Sequence, residues 1–467
     1  MQDDQDLLED RDLEVWEAKP PPRDQTRGLM LPLLIALSGV MLLALLALLD
    51  AQAQEPQVWG NALLYAGPLP IPEDEQIIPV LMRQMPEPRS PLLDGFEETS
   101  QGREAVQKLQ LDKGEWVVLL PVSDDVLKTL LADGRIPARG RFEALAGDLA
   151  RGASFEIDGH EFKVVGRLQR GVGGLGFAFV VPDDETYRPL FTPDLGATTG
   201  WLDLIGRERL ATMPAEQREQ FPETVGPSAR AGKGVAAGVV LGLVLVALGG
   251  SVTYYRIFMR MAARGVGGAQ GMLEDVRDRP GLFWGMHVLL YGVLFLMMLL
   301  AVKYPVAAMR IEHYVGEELS KGSLRHIGEA YASRDVVLAA VMTFAHNYFL
   351  ATLLYTFVLS LVIPFGGVLK NLLTFMVVGF AMSPLWLGSA WGMSFHSITM
   401  AVELGAYIVA SFAVAVLWIR VVQGLSRGQF WSQLVRGLQT VWGAALISGA
   451  MLAVAALYEA ASLILLT

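Results

Sequence analysis

Long apolar segments recur along this chain, and they constrain its fold more than any other feature. The run from Leu29 to Leu49 carries no charged residue, and about 20 apolar residues suffice for a helix to cross a bilayer. Because 52% of the residues are hydrophobic and only 18% are charged, the composition also argues against an ordinary soluble fold. The pattern predicts an α-helical polytopic membrane protein with about seven spans. The six spans after the first are expected near residues 234–256, 281–303, 336–363, 368–386, 396–420 and 438–466.

The first apolar run has two interpretations. Ala51-Gln-Ala53 behind it is typical of a signal-peptidase site. The segment before it, residues 1–28, is rich in Asp and Glu, whereas a signal peptide begins with a basic segment. We therefore expect an acidic cytoplasmic head over residues 1–28 and an uncleaved first span over residues 29–50.

Residues 51–232 contain no apolar run long enough to cross a membrane. Short runs rich in β-branched and aromatic residues, bounded by turn residues, predict strands in this region. A helix is expected from Asp124 to Asp133, because Val126, Leu127, Leu130 and Leu131 share one face. Together these features predict a mixed α/β extracytoplasmic domain, with residues 183–232 returning to the membrane in partly helical form. The expected strands are Glu115 to Val122, Ser154 to Ile157, Phe162 to Leu168 and Gly176 to Pro182.

Basic residues in the loops indicate the orientation, because cytoplasmic loops carry an excess of Lys and Arg. The loops at 257–280 and 421–437 are rich in Arg, which predicts that both loops and the N-terminus are cytoplasmic. The loop at 304–335 falls outside on this scheme, although it also carries basic residues. We therefore expect a multi-pass protein of a bacterial inner membrane. Residues 233–335 form two spans with a cytoplasmic and an outer loop, and residues 336–467 form a helical bundle.

Four polar residues fall within the predicted spans of this last bundle: His346, Asn347, His396 and Glu403. Such groups are costly at apolar depth unless they are paired, hydrated or packed inside a bundle. They are the candidate intramembrane site, although polar residues that only join helices give the same pattern. His287 and Glu459 are also isolated in apolar runs, and we interpret both as packing residues.

Glycines mark two places where helices are expected to pack closely. Gly234, Gly238 and Gly242 repeat every fourth residue at the start of the second span, as at interfaces where two helix backbones approach. That interface is either between subunits or within one chain. Gly366 and Gly367 follow Pro364 and interrupt the region 336–386, as a loop or as part of a re-entrant element.

Several kinds of chemistry find no support in the sequence. Cysteine is absent, which excludes a disulfide framework and a cysteine nucleophile. Gly232-Lys233 is followed by glycine where a phosphate-binding loop needs Ser or Thr. We therefore expect no catalytic residue, no metal site and no cofactor. No basic face is present to neutralise phosphates, so the expected partners are the lipid bilayer and other proteins, without nucleic acid.

Two motifs in the 51–232 region resemble a known domain. The first is the turn Gly134-Arg-Ile-Pro137. After Leu149-Ala150 comes the second, a hairpin formed by Phe155-Glu-Ile-Asp-Gly159 and Phe162-Lys-Val-Val-Gly166. This order resembles the periplasmic core domain of MacB-type and FtsX-type ABC permeases. The resemblance implies a separate ABC-type ATPase subunit, together with a homodimer or a related membrane subunit. It also implies a cytoplasmic docking helix, for which the segment containing Glu274, Asp275 and Arg277 is the candidate.

A second resemblance covers residues 336–420. Phe344 with Asn347, Gly366-Gly367, and Glu403 with Ala406 are similar to the stage II sporulation protein M family. That family usually has a histidine where this chain has Thr399, so a histidine role does not carry over.

These observations support two functions. We expect the membrane subunit of an ABC-type transport or mechanotransmission complex. The alternative is a structural membrane module that positions cell-wall remodelling proteins. An intramembrane enzyme is a more distant third. The sequence does not indicate the substrate of such a complex.

Overall fold

The chain folds into a β-sheet domain and a helical part that contains the long apolar segments. The computed structural model describes residues 28–53, 59–67, 69–70, 75–86, 113–148, 150, 152–169, 172–214, 217, 220–222, 224, 233–320, 322–387 and 392–465. The expected acidic head lies outside the described residues, apart from Gly28. The first element is α1 (Met30–Ala53).

The sheet domain follows α1, and its described residues form nine strands in one mixed sheet of order β1-β9-β2-β3-β8-β5-β7-β4, with β6 paired to β7. Two apolar clusters form the domain core. Its elements are β1 (Leu63–Ala66), β2 (Ile77–Pro86), β3 (Lys113–Leu120), α2 (Asp124–Leu130), β4 (Leu131–Gly134), β5 (Glu143–Ala146), β6 (Ser154–Ile157), β7 (His160–Leu168), β8 (Ala178–Pro182), β9 (Ala197–Asp203) and α3 (Gly206–Thr212).

The four expected strands are confirmed as β3, β6, β7 and β8, with ends that differ by up to two residues. The helix that we predicted from Asp124 to Asp133 is three residues shorter in the structure. It begins behind Ser123, whose side chain accepts a hydrogen bond from the Val126 amide, and it ends at Leu130. Leu131 already lies in β4 and pairs with Leu168 of β7, because ladder pairing replaces the last helical turn.

The two motifs that resemble the permease domain lie at tight turns. Asp158 and Gly159 both have positive φ values, 48° and 81°, as a two-residue hairpin turn requires. Gly134 also has a positive φ, and an added Cβ would lie 2.4 Å from the Val165 carbonyl oxygen. The next residue, Arg135, pairs with Glu143 at 2.5 Å, which ties this turn to β5.

Six helices of the described part are long and apolar enough to span a membrane: α1, α4, α6, α9, α12 and α13. The apolar helix at the predicted fifth span, α10, has 16 residues, so a count of seven spans stays a prediction. The helices after the sheet domain are α4 (Lys233–Arg264), α5 (Gln270–Asp278), α6 (Pro280–Lys303), α7 (Pro305–Ser320), α8 (Arg325–Ala332), α9 (Val336–Val362), α10 (Gly366–Ala381), α11 (Pro384–Leu387), α12 (Gly392–Ser426) and α13 (Phe430–Leu465).

Helix α12 is the centre of the helical part, because an unbroken stretch from Leu404 to Leu417 is buried. It packs along α13, and α1 packs along α4. The glycine stripe lies at this second contact: a Cβ at Gly238 or Gly242 would lie 2.7 or 2.8 Å from leucine side chains of α1. These two glycines therefore pack within one chain. A Cβ at Gly234 would meet no described atom within 4 Å.

The break between α9 and α10 is a tight helical connection. The amide of Gly367 donates to the Ser360 hydroxyl oxygen at 2.7 Å. A Cβ at Gly367 would lie 2.3 Å from the carbonyl oxygen of Thr356. Phe365 takes a left-handed conformation with φ 59°. Gly366 and Gly367 therefore bring the start of α10 against the end of α9.

Candidate functional site

The polar residues expected within the spans converge on one place in the bundle. The side-chain amide of Asn347 in α9 donates to Oε1 of Glu403 in α12 at 3.0 Å. The hydroxyl of Tyr407, one turn further along α12, donates to the same oxygen at 3.4 Å. Asn347 and Glu403 therefore face each other inside the bundle, as their cost at apolar depth predicts.

Asn347 lies in the first turn of an unusual segment. From His346 to Val358 the helix α9 is π-helical, a form that is rare in proteins and frequent at functional sites. The hydroxyls of Thr352 and Thr356 donate to carbonyl oxygens five residues earlier, at 2.8 Å each. These bonds satisfy carbonyls of the widened turn. This π-helical segment could not be predicted from the sequence, because its apolar pattern also fits an α-helix.

Nδ1 of both histidines is buried and has no hydrogen-bond partner among the described residues. Nδ1 of His396 lies 3.9 Å from Oε1 of Glu459 in α13, so its nearest carboxylate lies on another helix and not two turns away on α12. The His346 ring lies 5.9 Å from the ring of His326. From the sequence we expected Glu459 to be a packing residue, and its approach to His396 was not predicted.

Two cavities meet at this polar cluster. The first has a volume of about 440 Å³, and the second, next to α7 and α8, has a volume of about 570 Å³. Asn347, Glu403 and Glu459 line both cavities. These three side chains therefore form a polar partition between two spaces inside the helical part.

A second polar group, missed in the sequence, supports the first cavity. Asn371 of α10 is fully buried, and its amide donates to the Ser411 hydroxyl at 2.9 Å and to the Tyr407 carbonyl at 3.3 Å. The ammonium of Lys370 donates to the Asn371 side-chain oxygen at 3.1 Å and to the Ala351 carbonyl at 3.3 Å. These bonds fix α10 against α9 and α12 beside the partition.

The segment of the candidate docking loop is helical, as expected, and forms α5, but Asp275 does not lie on its exposed face; docking itself stays a prediction. Asp275 is 2% exposed. Its Oδ1 accepts from Arg420 of α12, and its Oδ2 accepts from the Thr440 hydroxyl of α13, both at 2.5 Å. The apolar side of α5 packs inward and carries this carboxylate with it. Glu274 is exposed and Arg277 is half-buried, so they form the accessible part of the candidate surface.

His287 is a packing residue, as expected. Its Nδ1 lies 2.8 Å from the Phe283 carbonyl oxygen, and its Nε2 contacts the Tyr254 hydroxyl. Within the described ranges, no group of three or more acidic or histidine side chains could hold a metal ion.

Comparison of the chain with protein-family models, with curated proteins and with solved structures finds no match. The two resemblances given above stay expectations, and the function is argued from the geometry of the bundle.

Proposed function

We propose that this protein is the membrane subunit of an ABC-type transport or force-transmitting complex, with a separate ATPase on the cytoplasmic side. The N-terminus is then cytoplasmic, and the sheet domain lies outside a bacterial inner membrane. A homodimer or a related membrane subunit completes the complex. The observation that carries this proposal is the contact of Asp275 with two of the helices that line both cavities, α12 and α13.

These two helices carry the carboxylates of the partition. Helix α12 contains Arg420 and Glu403, and α13 contains Thr440 and Glu459. A buried ion pair resists separation, because parting the charges leaves each of them uncompensated. A displacement of α5 by a partner would therefore move α12 and α13 with it. Through this contact, a movement of the loop that contains α5 would be transmitted to the walls of the cavities.

The sheet domain has a mechanical connection of its own. It lies in the chain between α1 and α4, which pack closely along each other. A Cβ at Gly249 of α4 would lie 2.4 Å from the backbone nitrogen of Ala36, so the two helix backbones are in contact there. Such a pair moves as one unit, which supports coupled motion of the sheet domain and the spans.

Affinity capture tests the proposal. The tagged chain, purified in mild detergent from its own cell, should bring with it a protein that hydrolyses ATP. Glu274→Arg reverses an exposed charge on α5 without touching the Asp275 cluster, and it should reduce the captured ATPase severalfold. Glu185→Arg, an exposed residue of the sheet domain, is the matched control and should leave capture unchanged.

The alternative, a structural module that positions cell-wall remodelling proteins, gives a different result. Capture would then yield cell-wall enzymes bound through the sheet domain and no ATPase. In that case Glu185→Arg and Glu274→Arg would have equal, small effects on what is captured.

A further inference from the structure

One face of α12 forms a polar wall of the first cavity. His396, Thr399, Glu403 and Tyr407 all line it, and their spacing of three or four residues places them in one row along the helix. Glu459 of α13 lies across from His396, at 3.9 Å. Two carboxylates and a hydroxyl therefore border the same space.

Among the described residues, no Lys or Arg side chain is within ion-pair distance of the Glu403 or Glu459 carboxylate, and the basic group nearest to Glu459 is the His396 ring. The hydrogen bonds to Glu403 come from a neutral amide and a phenol, those of Asn347 and Tyr407. The ammonium of Lys370 also lines the cavity, but it is bonded to Ala351 and Asn371 and lies 5.3 Å from the centre of the Tyr407 ring. Two carboxylates against one ammonium leave the first cavity formally anionic.

Thr399 supplies an independent indication of a ligand. Its side chain is 1% exposed, and its hydroxyl has no hydrogen-bond partner among the described residues. A buried polar group without a partner is destabilising, so such groups are rare unless something binds them. Thr399 lies one turn from Glu403, and both line the cavity.

The other residues that line the cavity indicate the chemical nature of the uncharged part of the ligand. It is largely apolar, and the volume of about 440 Å³ is ordinary for a small-molecule site. Within the described part of the chain, the side chains do not form a compact set of metal ligands. The apolar lining is formed by Leu324, Ala351, Val378, Met382, Met400 and Leu404.

We propose that this cavity binds the primary ammonium group of an amphiphilic amine. An ammonium has three N–H donors, which match the carboxylates of Glu403 and Glu459 and the hydroxyl of Thr399. The alkyl part lies against the apolar lining. This inference names the substrate class of the proposed complex and in that sense rests on the proposed function. Binding to the purified chain is nevertheless measured without an ATPase, so the two can fail separately.

Thermal unfolding of the full-length chain in detergent tests the proposal, with n-hexylammonium chloride as probe at constant ionic strength. The midpoint temperature should rise with hexylammonium to saturation. It should rise much less with n-hexanol, which lacks the charge, and with hexyltrimethylammonium, which lacks N–H donors. An equal rise with all three compounds would overturn the proposal.

Variants locate the binding site. Glu403→Gln combined with Glu459→Gln should abolish the response, whereas Glu185→Gln in the sheet domain should keep it. Thr399→Val is a milder change that does not depend on the folding of the double variant. It should raise the half-saturating concentration about tenfold, the factor for a lost hydrogen bond of ~1.4 kcal/mol to a charged group. A full response in both cavity variants contradicts the assignment.

A lipid headgroup and a free amine share this chemistry, and nanodiscs distinguish them. If the source is a lipid, phosphatidylethanolamine should stabilise the parent chain over phosphatidylcholine, and the cavity variants should not show this difference. If the source is a free amine, the two lipids should be equivalent, and hexylammonium should still stabilise the chain in phosphatidylcholine. No response to either amine would refute the proposal.

Discussion

Replacement of Asp275 by alanine should be among the most damaging changes in the helical part. The carboxylate is buried, lies 2.5 Å from both Arg420 and Thr440, and is 3.5 Å from Nε of Arg279. Removing one partner of a buried ion pair costs about 3–5 kcal/mol, because the other charge is left uncompensated. We expect Asp275→Ala to lower the free energy of unfolding by about this amount.

The companion variants have a predicted order. Arg420→Met should cost less than Asp275→Ala, because Arg279 and Thr440 still contact the carboxylate. Thr440→Val removes one hydrogen bond to a charged group, which is worth about 1.5–3 kcal/mol. The variant with both Asp275→Ala and Arg420→Met should cost less than the sum of the two single changes, since neither leaves its partner behind.

The assay is unfolding of the full-length chain in mild detergent, followed by tryptophan fluorescence and expressed as a double-mutant cycle. Glu274→Ala, the exposed neighbour on the same helix, is the matched control and should change the unfolding free energy by less than about 0.5 kcal/mol. A stabilising buried ion pair between Asp275 and Arg420 is refuted if Asp275→Ala behaves like the control. It is also refuted if the effects of Asp275→Ala and Arg420→Met on the unfolding free energy are additive.

Three further predictions concern other parts of the molecule. In the sheet domain, hydrogen bonds from Arg135 and a backbone amide lower the pKa of Glu143 from 4.5 to about 2, so the stabilisation is present above pH 4.5 and is lost as the pH falls towards 2. Glu143→Gln should remove that pH dependence in hydrogen exchange of β5. Gly249→Ala places a Cβ 2.4 Å from the backbone of α1 and should lower the midpoint temperature of thermal unfolding. A Cβ at Gly234 would meet no described atom within 4 Å, so Gly234→Ala should leave the midpoint unchanged. Protease added to spheroplasts should cleave the 51–232 domain and spare the N-terminal head; cleavage of the head alone would contradict the topology.

The apolar runs were sufficient to predict the helices that could span a membrane, because their length is set by the thickness of the bilayer. From the sequence we expected Asn347 and Glu403 to face the bundle interior, since each is costly at apolar depth. Their direct hydrogen bond of 3.0 Å was not predicted. A local pattern of apolar and turn residues was sufficient to predict the strands β3, β6, β7 and β8.

The contacts that build the cavities could not be predicted in the same way. The approach of Glu459 to His396 at 3.9 Å is between residues of two helices, and nothing in either sequence segment specifies the other. The inward position of Asp275 depends on how α5 packs on α12 and α13, so a polar residue on a short helix looked like a surface residue. Strand β9 lies between β1 and β2 and was missed, because its first four residues, Ala-Thr-Thr-Gly, lack a strong apolar alternation.

If ATP hydrolysis in a partner reaches the cavities through Asp275, as we propose, the chemical access of a side chain at position 399 should depend on the bound nucleotide. The chain contains no cysteine, so Thr399→Cys introduces a single thiol in the wall of the first cavity. In native membranes, its rate of modification by a small methanethiosulfonate should differ severalfold between MgATP and ADP, and Asp275→Ala should abolish the difference. Equal modification rates with the two nucleotides would contradict the proposed coupling between ATP hydrolysis and the cavity. A nucleotide effect that is still present in Asp275→Ala would contradict the role of Asp275 in that coupling.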